Sequence, residues 1–206
     1  MTRALAAPTT GLTTGLTTGL TSALTAALLL VVLSAGVASA REVLLRDPAG
    51  DMWRQDLQGT ISEAPTSHVG DVRQAMFRHG QKNILIRQRF VDLSRAGDYA
   101  QYVVRIESAA GIYRELRVEA SPGSWAGKSR VFNRRGELVE CATTHRIDYA
   151  TNVVVMALPR TCIGTPRMIR ATASNYRTDL DHNFLMDNPH NTDSSAQVWT
   201  RWLRVS

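Results

Sequence analysis

The chain after residue 40 alternates between hydrophobic and polar residues with a period of two, and the clearest run lies between residues 71 and 93. A His-Gly-Gln-Lys turn at 79–82 separates two extended segments there. In the second segment the apolar residues share one face and the polar residues share the other: Ile84, Ile86 and Phe90 against Asn83, Arg87 and Arg89. This pattern predicts an antiparallel hairpin with one buried face and one exposed face.

Shorter runs repeat the alternation along the rest of the chain. We expect strands at 41–45, 99–108, 112–120, 129–133, 137–141, 152–158, 168–173 and 198–205. The run at 152–158 is apolar throughout, which predicts a central strand covered on both faces and ended by Pro159. The stretch 58–68 is predicted to be a loop, and 174–195 is a polar segment. About nine or ten short strands without helical periodicity indicate an all-β fold, a single antiparallel β-sandwich with a β-barrel as the alternative.

Residues 1–40 have the organisation of a secretory signal peptide. Arg3 lies near the start, no acidic residue is present, and an apolar core at 24–33 precedes small residues that end in Ala-Ser-Ala at 38–40. The apolar core is shorter than the roughly 20 residues that span a bilayer, and no second apolar span follows. We therefore expect cleavage after residue 40, a secreted, extracellular domain over residues 41–206, and no membrane span in it.

The charge of the expected secreted part is positive. The whole chain carries 24 basic and 18 acidic residues, and residues 1–40 hold one basic residue and no acidic one, which leaves a net charge of +5. Nearly all of the basic residues are arginines, spread singly along the predicted strands and not clustered, which argues against a nucleic-acid surface. The charge favours an anionic cell-envelope polymer as the partner, and another extracellular protein is the alternative.

Cys141 and Cys162 are the only cysteines in the sequence. A single pair in an oxidising compartment has one partner choice, so we predict one disulfide between them. The alternative is a pair of buried free thiols.

Several short motifs mark residues 41–206. They are Gly-Asp-Val at 70–72, His79, Phe-Val-Asp-Leu at 90–93, the Cys141 strand, and Pro-Arg-Thr-Cys-Ile-Gly-Thr-Pro at 159–166, which is the most specific. Together with the leader they resemble a group of small secreted proteins, many of them from actinobacteria. The resemblance covers most of residues 41–206. It implies a secreted β-sandwich with one disulfide and no catalytic residues.

Catalytic chemistry has only weak candidates in this sequence. Asp71, His79 and His145 lie in predicted turns and loops, and a hydrolase site could be assembled from such residues because triads are spatial arrangements. No zinc-ligand spacing of the HExxH or CxxC type is present. The alternative for each of these side chains is a structural hydrogen bond or a solvated position.

The sharpest metal candidate is the segment that contains Asp179, Asp181 and Asn183. Alternating oxygen-bearing side chains are what a calcium loop supplies in its first half. The glycine expected next is replaced by Phe184, and His190 stands where the closing glutamate would lie. A polar surface loop is the alternative, and no cofactor other than calcium is expected.

Four tryptophans raise the possibility of sugar stacking. Trp125 lies in a glycine-rich loop and is the best candidate for a ligand contact, with a buried loop anchor as the alternative. Trp199 and Trp202 are three residues apart, so an unbroken strand would put them on opposite faces and at least one in the core. These observations favour a non-catalytic binding module, ahead of a secreted hydrolase or a structural or inhibitory protein.

Overall fold

The computed structural model describes residues 41–189 and 197–206, which form two antiparallel sheets packed together. In chain order the strands are β1 (Arg41–Arg46), β2 (Trp53–Gln55), β3 (Ile61–Glu63), β4 (Val72–His79), β5 (Asn83–Phe90), β6 (Ala100–Ser108), β7 (Tyr113–Ala120), β8 (Lys128–Phe132), β9 (Thr144–Asp148), β10 (Val153–Pro159), β11 (Met168–Thr178), β12 (Phe184–Asp187) and β13 (Leu203–Arg204). A single 3₁₀ turn, Arg160–Ile163, follows β10. The predicted all-β sandwich is confirmed.

The two sheets have simple strand orders. One sheet runs β1-β4-β5-β10-β9, and the other runs β3-β2-β12-β11-β6-β7-β8, with β13 paired to β11. Neither order closes on itself within the described residues, so the β-barrel alternative is wrong. The strands number thirteen, more than the nine or ten that the alternation predicts.

The hairpin of β4 and β5 forms as the pattern predicts. In β5 the three apolar residues Ile84, Ile86 and Phe90 are buried, and Arg87 and Arg89 are exposed. The core lies between the two sheets and takes side chains from both. Its largest fully buried side chains include Phe77, Ile86, Met156, Ile106 and Leu116. Each such side chain stabilises the fold by about 1.5–3 kcal/mol relative to its exposed state.

The strand β10 differs from its prediction. It lies fourth in a sheet of five strands, between β5 and β9, and only one of its faces is fully buried. Met156 and Leu158 are fully buried, whereas Val155 and Ala157 on the other face are half-buried. An apolar run therefore does not by itself require cover on both sides. Pro159 ends the strand as predicted.

Several short strands were not visible in the alternation. The stretch 58–68 contains β3, and the polar segment 174–195 contains the end of β11 and all of β12. Conversely, the predicted strand at 137–141 makes only a single bridge through Leu138, and the predicted run at 198–205 contains only β13. A strand of two to four residues is defined by its pairing partner more than by its own sequence, which explains these differences.

The predicted disulfide is confirmed. Cys141 and Cys162 are bonded, with Cα atoms 5.9 Å apart. The bond joins the segment that precedes β9 to the 3₁₀ turn that follows β10. It therefore connects the two ends of the β9–β10 hairpin.

Candidate binding site

The weak catalytic candidates do not come together. Asp71 immediately precedes the eight-residue strand β4 and His79 ends it, so about 25 Å of extended chain separates them. Asp71 accepts a hydrogen bond from the backbone N–H of Gly50 (2.7 Å), whereas His79 Nδ1 donates to the carbonyl oxygen of Leu203 (3.1 Å). His145 is half-buried on β9, where its Nε2 donates to the carbonyl oxygen of Ala126 (3.1 Å). The structure brings no two of these three residues into a catalytic arrangement.

The burial of His79 makes the stability of the protein depend on pH. His79 is fully buried, and burial lowers its pKa below the ordinary value of 6.5, although the hydrogen bond to Leu203 opposes this shift. As the pH falls through 6.5, the His79 imidazole binds a proton in the unfolded state but not in the folded state. The free energy of unfolding therefore decreases below pH 6.5. His79→Asn keeps a donor near the Nδ1 position but does not titrate. Between pH 7 and pH 5 we expect its free energy of unfolding to fall by about 1 kcal/mol less than that of wild type.

Urea unfolding at both pH values measures this difference. The comparison between the two proteins removes the contribution of the carboxyl groups, which titrate in both. An equal loss of stability in His79→Asn and wild type would contradict the assignment.

The carboxylate of Asp179 accepts its hydrogen bonds from within the predicted calcium loop. Asp179 Oδ1 accepts the backbone N–H groups of Asp181 (2.9 Å) and Asn183 (2.8 Å), and its Oδ2 accepts the side-chain amide of Asn183 (2.8 Å). These contacts form a turn of the kind that aspartate commonly stabilises. A calcium role for the loop stays a prediction, and His190 lies outside the described residues.

Trp125 is held as part of the fold. Its ring is partly buried and meets the ring of Tyr149 edge to face, with centroids 6.4 Å apart. Its backbone carbonyl accepts a hydrogen bond from the hydroxyl of the same tyrosine (2.9 Å). The contacts fit the loop-anchor alternative, and a ligand contact at Trp125 stays a prediction.

Trp199 and Trp202 share one partner. The guanidinium carbon of Arg170 lies 5.0 Å from the ring centroid of Trp199 and 5.3 Å from that of Trp202. Trp202 is exposed and Trp199 is half-buried, so neither is part of the fully buried core. The expectation of opposite faces assumed an unbroken strand, which this segment does not form.

A cleft of about 330 Å³ lies where four segments meet. Its lining comes from the loop before β4, the segment after β5, the end of β11 with the following loop, and β12: Thr66, Ser67, His68, Val69, Ser94, Ala96, Arg177, Asp179, Leu180, Asp181 and Leu185. Leu180 is exposed at the rim, and Leu185 is buried. The volume is at the lower end of the range for small-molecule sites.

Arg177 is the central residue of this cleft. Only 3% of the residue is exposed, and its Nη2 donates to the carbonyl oxygen of Ala96 (2.6 Å) while its Nε has no hydrogen-bond partner. In the described part of the chain no carboxylate oxygen lies within 4.0 Å of its guanidinium nitrogens. Burial lowers the pKa of Arg177, and the more distant charges of Asp92 and Asp179 oppose this shift. Arg177 is therefore a buried cation without a direct counter-ion.

Ser94 supplies a second buried donor to the same cleft. Its Oγ atom is buried and has no hydrogen-bond partner. A hydroxyl and a guanidinium N–H that both lack acceptors can be satisfied together by one anionic group. Two residues that line the cleft thus carry unsatisfied donor atoms, and the acidic residues Asp179 and Asp181 line it as well.

Gly70 makes room for the arginine. Its φ is +90°, and a Cβ atom at this position would lie 2.9 Å from Arg177 Cδ. The backbone at Gly70 therefore approaches the side-chain stem of Arg177 closely, which only glycine permits without displacement. This contact explains why the Gly-Asp-Val motif at 70–72 begins with glycine.

The importance of Arg177 could have been read from the sequence if β11 had been extended. Residues Ile169, Ala171, Ala173, Asn175 and Arg177 follow one another at a spacing of two and are all buried. The last two are polar, so the hydrophobic alternation stops at Ala173 and the predicted strand stopped there as well. A polar residue that continues an inward-facing series is the signal that was available.

In residues 41–189 and 197–206 no helix is long and apolar enough to cross a membrane. No protein-family model, no curated protein and no solved structure matches this chain.

Proposed function

We propose that this protein is a secreted, non-catalytic β-sandwich module that binds an anionic group of a cell-envelope or other extracellular polymer. The cleft around Arg177 is the binding site. One observation carries the proposal: Arg177 is 97% buried, lines a cleft, and has neither a carboxylate within 4.0 Å nor an acceptor for its Nε. A carboxylate or a phosphate on the polymer is the group that this arrangement fits.

The energetics of a buried charge support this choice. A buried ion without a partner costs several kcal/mol after relaxation, so a protein retains one at a surface cleft most readily where a ligand offsets the cost. Hydrogen bonds from an arginine to an anionic oxygen contribute about 1.5–3 kcal/mol each. The hydroxyl of Ser94 can donate to the same group because its Oγ has no other partner.

The charge of the whole domain supports an anionic partner as well. The net charge of +5 expected after removal of residues 1–40 attracts polyanions and raises their association rate at low ionic strength. The disulfide is compatible with an oxidising compartment outside the cell.

Binding is favoured over hydrolysis by the surroundings of the serine. A nucleophilic serine needs a general base within hydrogen-bond distance. Ser94 Oγ has no hydrogen-bond partner, and Asp71, His79 and His145 lie apart from one another. A bound anion uses Ser94 as a donor and needs no base.

The test compares two arginine variants of equal charge. Arg177→Gln removes the buried guanidinium, and Arg78→Gln removes an exposed one on β4. We expect the affinity for an immobilised poly(glycerol phosphate) or polyglutamate to fall about 10- to 100-fold in Arg177→Gln and less than about 2-fold in Arg78→Gln. Neutral dextran is the control for non-specific retention.

A second variant guards against loss of folding. Ser94→Ala removes only the unpartnered hydroxyl, and we expect it to weaken binding several-fold with an unchanged melting temperature. If both arginine variants bind equally well, the attraction is a property of the surface charge and the cleft is not the site.

A further inference from the structure

Four aspartates from four separate segments lie near one another. Asp47 follows β1, Asp51 precedes β2, Asp71 precedes β4, and Asp187 is the last residue of β12. The carboxylates of Asp47, Asp51 and Asp187 each offer one oxygen that lies within 4.8 Å of the others. Asp71 is not one of these three, but its charge acts on Asp187, and its carboxylate accepts the N–H of Gly50, the residue before Asp51.

Two of these aspartates are buried and incompletely bonded. Asp71 is 0% exposed and Asp187 is 1% exposed. Each uses Oδ2 to accept one backbone N–H, from Gly50 (2.7 Å) and from Val72 (2.6 Å), and each leaves Oδ1 without a hydrogen-bond partner. A buried carboxylate oxygen without a partner is unfavourable, and neighbouring negative charges make it more so.

We propose that this aspartate cluster, Asp47, Asp51, Asp71 and Asp187, binds a calcium ion. Calcium takes six to eight oxygen ligands at 2.3–2.6 Å, so two oxygens on opposite sides of the ion are about 4.8 Å apart. The three oxygens of Asp47, Asp51 and Asp187 all lie within 4.8 Å of one another, which fits that shell. The oxygens of this group, which includes the buried Asp187, supply ligands, and water completes the coordination.

The ligand set points to calcium over other divalent ions. The cluster contains only carboxylates, which excludes the nitrogen and sulfur ligands that zinc prefers. Magnesium requires near-ideal octahedral geometry at 2.0–2.1 Å and usually keeps several waters, which suits one or two carboxylates better than four.

The electrostatics of the cluster agree with this assignment. Burial, together with the charges of Asp51 and Asp71, raises the pKa of Asp187 to about 7, although the hydrogen bond from Val72 opposes this shift. Burial also raises the pKa of Asp71. A divalent cation reverses both causes because it stabilises the ionised carboxylates.

The position of the cluster gives the ion a structural role. Asp47 and Asp71 adjoin strands β1 and β4 of one sheet, whereas Asp51 and Asp187 adjoin β2 and β12 of the other. One ion therefore clamps the edges of the two sheets. This site is distinct from the anion cleft of the proposed function, and a test with calcium alone leaves that function untouched.

The experiment is a set of melting curves on the purified full chain. With chelator-treated protein, 5 mM calcium chloride should raise Tm by between about 2 and 9 °C, the range expected for an extracellular calcium site. Equal concentrations of magnesium chloride should raise it by less than half as much. Isothermal titration with calcium should give one site per chain.

Two variants locate the ion. Asp187→Asn keeps an acceptor for Val72 N–H, so it should fold with a Tm in chelator at least equal to that of wild type, and it should lose the calcium shift. Asp181→Asn, in the loop at 179–183, should keep the shift. The proposal is overturned by the absence of a calcium shift in wild type, by an equal shift with magnesium, by a shift that survives in Asp187→Asn, or by its loss in Asp181→Asn.

Discussion

Replacement of both cysteines by alanine should lower the free energy of unfolding by about 3 kcal/mol, or Tm by roughly 6–12 °C. Cys141 and Cys162 are 21 residues apart in sequence, so their bond closes a loop of moderate length in the unfolded chain. The loss of that constraint favours the unfolded state. Both residues are only partly buried, so the alanines add little further cost.

Reduction of the wild-type protein supplies the control for this prediction. A reducing agent should lower the Tm of the wild type to that of Cys141→Ala/Cys162→Ala and should leave the double variant unchanged. Equal melting temperatures of the oxidised wild type and the double variant would show that the bond does not stabilise the fold.

Gly97→Ala should be the most destabilising single substitution in the loops. We expect it to lower the free energy of unfolding by at least about 3 kcal/mol. Gly97 has a φ of +81°, and a Cβ atom at this position would overlap the backbone carbonyl oxygen of Thr178. The positive φ costs about 1 kcal/mol for alanine, and displacement of the backbone of β11 adds the rest. Urea unfolding measures the difference.

A second glycine isolates the steric contribution. Gly123 has a φ of +78°, and no atom lies within 4 Å of an added Cβ. Gly123→Ala should therefore lower the free energy of unfolding by only about 1 kcal/mol. Gly97→Ala should also weaken polymer binding, because Ala96 and Arg177 are the neighbours of the displaced backbone and are hydrogen-bonded to each other. Equal losses of stability in the two variants would refute the overlap with Thr178.

The parts of the fold that could be predicted are those where the sequence itself carries a strong period. The β4–β5 hairpin follows from alternating residues around a short polar turn, and Ile84 and Ile86 are buried as expected. The disulfide could be predicted because only one pairing of two cysteines exists. In both cases local information is sufficient.

The two candidate sites could not be predicted, for different reasons. Arg177 lies in a strand whose last two inward-facing residues are polar. The hydrophobic alternation therefore ends at Ala173, before Arg177 is reached. The four aspartates are spread from Asp47 to Asp187 and come together only because β12 pairs with β2 and β11. Each of them alone has the sequence context of an ordinary turn or loop residue. The predicted calcium loop at 179–183 has the better local pattern, but both carboxylate oxygens of Asp179 accept hydrogen bonds within its own turn.

The segment 68–72 contributes to both the cleft and the aspartate cluster, since His68 and Val69 line the former and Asp71 and Val72 contact the latter. Linkage is reciprocal, so a ligand that orders this shared strip for one site reduces the entropy lost at the other. For the secreted polyanion-binding module that we propose, calcium bound outside the cell would therefore increase the affinity for the polyanion.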